Sequence, residues 1–142
     1  MENINEKCNG LLQNSFESNL ALGRIALDSL LSVMPNETDE QKNMSHWIIV
    51  GFCFAVIASD GEISEKETEF FNQLMSTNYD VKTIKEKLAF FEKESQSLIE
   101  SVGDYKDSIK DNFLLLAMVF AAADGKITKE EIEILEKINN KE

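Results

Sequence analysis

The sequence predicts an all-α fold: a compact bundle of about six to seven helices with an internal pseudo-two-fold repeat of helix-loop-helix units. Three observations carry this. The chain has 142 residues but only six Gly and one Pro, too few punctuators for the many turns of an all-β chain. Apolar residues recur at three- and four-residue steps, and nowhere does strand-like alternation persist. Residues 55–67, AVIASDGEISEKE, are echoed 64 positions later by residues 119–131, VFAAADGKITKEE.

The elements follow in order within a single domain, 1–142. An N-terminal helical segment covers about 1–34, with Gly10 its candidate breakpoint and Phe16, Leu20, Leu27, Leu30, Leu31 and Met34 on its apolar stripe. Pro35 stops it, because the ring blocks helix continuation. Thr38 with Gln41 forms a capping box that opens the next helix, which runs to about Ser59. From Trp47 onward that helix is apolar on every face, the mark of a helix buried all round. A shorter helix spans Ser64 to about Ser76. Asp80 caps a further one that ends at Gly103, and another runs from about Tyr105 to Ala123, apolar on all sides from Phe113. The last starts at Thr128 and carries Ile132, Leu135 and Ile138. The repeat units are therefore about 42–76 and 107–140.

Within the repeat, Asp60 matches Asp124, Gly61 matches Gly125, Ile63 matches Ile127, Ser64 matches Thr128 and Glu67 matches Glu131. One reading is a helix stop followed by a helix start. Each Gly supplies a left-handed residue after a helix end, and Ser64–Glu67 and Thr128–Glu131 are capping boxes. The two Asp residues do not fit it. An acid at a helix C-terminus meets a macrodipole that is already negative, at a cost of about 0.3–1 kcal/mol.

The other reading counts oxygens. Asp-Gly, then a hydroxyl residue, then Glu is the second half of an EF-hand loop. In that register Asp60 is a carboxylate ligand, Glu62 offers its carbonyl, Ser64 acts through water and Glu67 is the bidentate carboxylate, with Asp124, Thr128 and Glu131 their counterparts. Positions one and three fall on Val56 and Ala58, or Phe120 and Ala122, which cannot coordinate. An ordinary tight EF-hand is thus excluded, leaving a weak Ca²⁺ or Mg²⁺ site in each loop or one shared between them. Residues 60–69 and 124–133 hold nine acids against three lysines, half of the net charge of −12.

At these residues the chain resembles the TerB family of bacterial tellurite-resistance proteins. The signature is an apolar helix ending in A-x-D-G, then a small hydroxyl residue and a Glu, given twice. Here it reads AVIASDGEISEKETEF and MVFAAADGKITKEEIEIL. The resemblance implies about seven helices, an acidic cluster able to bind divalent cations on Asp60, Glu67, Asp124 and Glu131, and a cytoplasmic stress-response role alongside protein partners, often in membrane-associated complexes. A similar helical module opens a membrane-anchored J-domain co-chaperone, so a constitutive helical scaffold or co-chaperone-like interaction domain with no metal site is the alternative. Lys126 and Lys129 weaken the field of the second copy.

Other chemistry finds little support. The net charge of −12 repels phosphate backbones and argues against nucleic acid. The apolar run from Trp47 to Ala58 is 12 residues, against the roughly 20 a bilayer span needs. The polar, acidic N-terminus is unlike a signal peptide, so a cytoplasmic protein is expected, with Cys8 and Cys53 as reduced thiols. His46 and Cys53 lie two helical turns apart, about 10 Å in rise, beyond the reach of a nucleophile pair. Asp60 and Glu67, or their repeats, are expected as exposed loop acids without a cleft, so no enzyme is expected.

Overall fold

The computed structural model describes residues 4–57, 64–91, 100, 102–123 and 125–139. Among them are seven helices and no strand: α1 (Ile4–Leu12), α2 (Phe16–Val33), α3 (Asp39–Ile57), α4 (Glu65–Met75), α5 (Val81–Phe91), α6 (Asp107–Ala122) and α7 (Lys129–Asn139). The all-α expectation stands.

Helix α6 is the axis of the bundle. Every residue from Leu116 to Ala122 is buried, so this segment has no solvent face, as its all-apolar sequence requires. Around it pack α1, α2, α3, α4 and α7, with α2 in the most extensive contact among the described residues. The apolar positions explain each approach. Ile4, Cys8 and Leu11 form one buried stripe on α1, and Leu20, Ala26, Leu27 and Leu30 form another on α2. In α3, Ile49, Phe52 and Cys53 are fully covered. Gly23 sets the closeness of α2. A Cβ placed there would lie 3.3 Å from Val119 and 3.4 Å from both Leu74 and Phe70, so α2 settles into a trough between α4 and α6. Edge-on aromatic pairs fill the centre: Phe70 with Phe120 at 4.9 Å, Phe16 with Phe70 at 5.6 Å and Phe52 with Phe113 at 5.3 Å. Such pairs add roughly 0.5–1.5 kcal/mol beyond area burial.

The N-terminal segment breaks later than Gly10. Gly10 lies inside α1, and the chain turns at Gln13–Ser15. Ser15 supplies the reason: its Oγ accepts the Ser18 N–H at 3.1 Å and starts α2. Asn19, buried within α2, donates from Nδ2 to the Leu11 carbonyl at 3.0 Å and so satisfies the end of α1. Its Oδ1 accepts from Asn14 at 3.2 Å. The same Leu11 carbonyl also accepts the Asn14 N–H at 3.1 Å, so the end of α1 is held by a backbone turn and a side chain together.

The remaining starts fall where local chemistry places them. Thr38 Oγ1 accepts the Gln41 N–H at 3.1 Å, and Gln41 Oε1 accepts the Thr38 N–H at 3.4 Å. Asp80 accepts the Thr83 N–H at 2.7 Å, which holds its carboxyl below the ordinary range. Between α4 and α5, Ser76 adopts the left-handed conformation, φ 56°. Asn72 ties this loop together: Nδ2 donates to the Tyr79 carbonyl at 2.7 Å, and Oδ1 accepts from the Thr77 hydroxyl and the Tyr79 N–H.

Candidate functional site

The two repeated junctions are the candidate site, and their second halves have matching geometry. At the start of α4, Ser64 Oγ accepts the Glu67 N–H and Glu67 Oε1 accepts the Ser64 N–H, both at 3.0 Å. At the start of α7, Thr128 Oγ1 accepts the Glu131 N–H at 3.2 Å and Glu131 Oε1 accepts the Thr128 N–H at 2.9 Å. The Thr128 hydroxyl also lies 3.0 Å from the same carboxylate oxygen. Both boxes satisfy orphan donors of a first helical turn. Ahead of the second box, Gly125 takes φ +82° and its N–H donates to the Ala122 carbonyl at 2.9 Å, the left-handed exit expected of it. Ile127 then packs on the core.

The two glutamates correct one expectation. They are not exposed loop acids: Glu67 is 6% exposed and Glu131 is 2%. Their N3 positions point them back over the helix end, where the carboxylate meets backbone N–H groups and the positive end of the dipole. Sequence spacing gave the capping partner but not the cover. Helix α1 packs against both α6 and α7 and sets Cys8 within reach of the Glu131 charge.

Cys8 reports that contact. Burial, then the negative charges of Glu131 and Glu136, push its thiol from an ordinary value near 9 up to about 11. Cys53 is fully covered, and burial pushes its thiol up further still. A thiol raised this far carries almost no thiolate at neutral pH. Iodoacetamide at pH 8 should therefore label neither cysteine in the native chain and both after denaturation. The pH dependence has a definite sign. Folded Cys8 keeps a proton that the unfolded chain releases, so stability falls as pH rises from about 9 to about 11. Denaturant melts across that window should show the fall, and Cys8→Ala should lessen its slope, leaving the part that the raised thiol of Cys53 contributes.

The capping boxes carry a second prediction. Thr128→Ala and Ser64→Ala should each lower unfolding free energy by about 1 kcal/mol, and the Gly variants by less. Equilibrium denaturation reads the difference directly.

Asp60, Gly61, Glu62, Ile63 and Asp124 lie outside the described residues. The proximity of the two Asp-Gly turns, and the pooling of Asp60, Glu67, Asp124 and Glu131 on one face, therefore lie outside them too. Among the described residues, no three His, Cys, Asp or Glu side chains gather as a metal-binding group. His46 is exposed on α3, while Cys53 is buried on that helix. No helix among the described residues is long and apolar enough to cross a membrane.

An all-helical bundle around a central helix whose C-terminal half is buried on every side, with a capping box opening the helix after each Asp-Gly pair, defines a small acidic helical module. The sequence profile of tellurite resistance protein TerB matches residues 46–141, and the chain belongs to that family. Neither the curated proteins nor the solved structures contain a match to it. The family match begins within α3, so α1 and α2 precede it.

Proposed function

We propose that this chain is a non-enzymatic bacterial stress-response module, tellurite-resistance-like, that acts in the cytoplasm by engaging protein partners through an acidic face tuned by a weakly bound divalent cation, Ca²⁺ or Mg²⁺. Membership of the TerB family supports the stress-response class. The observation that carries the cation reading is the paired capping box. In the half EF-hand register, Ser64 and Thr128 stand at position nine and Glu67 and Glu131 at position twelve. A glutamate parked on its own N-cap amide is the pose a metal-free loop of that register would hold. A cation that recruits Glu67 and Glu131, with Asp60, Asp124 and the Glu62 carbonyl, takes each carboxylate off that amide. Binding and capping are then coupled. Membrane-associated complexes are the proposed setting for the partners, with no insertion of this chain and no nucleic acid.

One observation favours a second reading, a constitutive scaffold or co-chaperone-like interaction domain without metal. The low exposure of Glu67 and Glu131 means that a cation must displace cover as well as a hydrogen bond. Thermal melts separate the two. Under the first reading Ca²⁺ or Mg²⁺ raises Tm, because a ligand that binds only the folded state stabilises it by mass action, and Asp60→Asn/Asp124→Asn abolishes the rise. Under the second, neither cation moves Tm in either chain.

A further inference from the structure

We propose that the corner between α2 and α3 is a binding site for a small aliphatic carboxylate. The corner forms a half-open cavity of about 500 Å³, lined by Leu31, Pro35, Asn36, Lys42, Ser45 and His46. That size suits a small-molecule pocket, and so does a wall that is largely apolar with a few convergent polar groups. The polar groups divide into two kinds. Ser45 is buried and donates its hydroxyl to the Pro35 carbonyl at 2.8 Å. Asn36 Nδ2 donates to the Leu31 carbonyl at 3.1 Å. These two bonds are internal and fix the shape of the corner.

Lys42 and His46 are the other kind. They stand one turn apart on α3, so their side chains share a face. Neither side chain has an intramolecular hydrogen bond or ion pair among the described residues. The acids of the same first turn, Asp39 and Glu40, are not walls of the cavity. A chain of net charge −12 thus holds a concave site whose charged wall is a lysine beside an imidazole. An ammonium and a ring N–H match one carboxylate, and Leu31 and Pro35 match a short hydrocarbon body. Inorganic phosphate would leave the apolar wall unused and needs more donors than two. The corner precedes the TerB match except for His46, its first residue, so the site is separate from the acidic junctions.

The test is an NMR titration of the full chain with sodium hexanoate at neutral pH, following the His46 ring protons and the backbone amides of residues 31–46. The expected result is saturable shifts confined to this corner, with a Kd of about 1 mM or tighter. Lys42→Met/His46→Gln should weaken binding about tenfold or more, the scale of losing charged hydrogen bonds. Both residues are exposed, so the variant should keep the wild-type Tm. N-acetyl-leucine in place of hexanoate distinguishes the two sources of this chemistry. Tighter binding of the amino-acid derivative assigns the site to the C-terminal carboxylate of a partner chain, and tighter binding of hexanoate assigns it to a free acid. Hexanol or inorganic phosphate producing the same shifts as hexanoate would overturn the proposal. So would the absence of saturation, or undiminished binding by the double variant.

Discussion

Deleting residues 1–34 should abolish cooperative unfolding, although the family match begins only at residue 46. Helices α1 and α2 contribute Ile4, Cys8, Leu11, Leu20, Ala26, Leu27 and Leu30 to the core. Each large side chain is worth about 1.5–3 kcal/mol on burial, and whole domains are stable by only about 5–15 kcal/mol. The loss also works from the other side. The trough that receives Gly23 is lined by Phe70, Leu74 and Val119, and all three would meet water. Circular dichroism melts check this. A truncated chain that melts sharply near the full-length Tm would show that residues 35–142 hold their own core.

Phe120→Ala should destabilise the full chain by about 3–5 kcal/mol. Phe120 is fully buried on the central helix and touches Phe70 edge-on at 4.9 Å, with Phe71 at 6.1 Å. Four helices meet α6 besides α7, so the cavity cannot collapse without shifting several of them. Ile25→Ala is the control. Ile25 is 62% exposed, and a surface truncation usually stays within about 0.5 kcal/mol. Urea denaturation should show a lower midpoint for the first and an unchanged one for the second.

The helix starts at Thr38, Ser64, Asp80 and Thr128 were legible because capping is an i, i+3 affair and both partners are visible in sequence. The burial of α6 was legible for a similar reason, since a run without polar residues has no face to give to water. The break at Ser15 was not. Gly10 is the stronger helix breaker by propensity, but α1 tolerates it, and the Ser15 cap lacks the Glu or Gln that marks a full box. Asn19 and Asn72 were missed because their bonds run five to eight positions along the chain, to groups that only a folded turn brings near. In the candidate site, sequence identified the capping pairs, yet the approach of α1 to α7, which brings Cys8 near the Glu131 charge, spans more than a hundred residues. No local pattern encodes that approach.

Under the proposed cation reading, the two junction glutamates exchange a backbone amide for a cation. The most direct measurement is an ¹⁵N–¹H titration of the full chain with Ca²⁺, read at the amides of Ser64 and Thr128. These N–H groups donate to Glu67 and Glu131 at 3.0 and 2.9 Å. Both resonances should move together and saturably as the carboxylates leave, and Asp60→Asn/Asp124→Asn should remove the movement. Amides that stay in place at saturating Ca²⁺ would contradict it, and the repeated motif would then be a pair of helix caps.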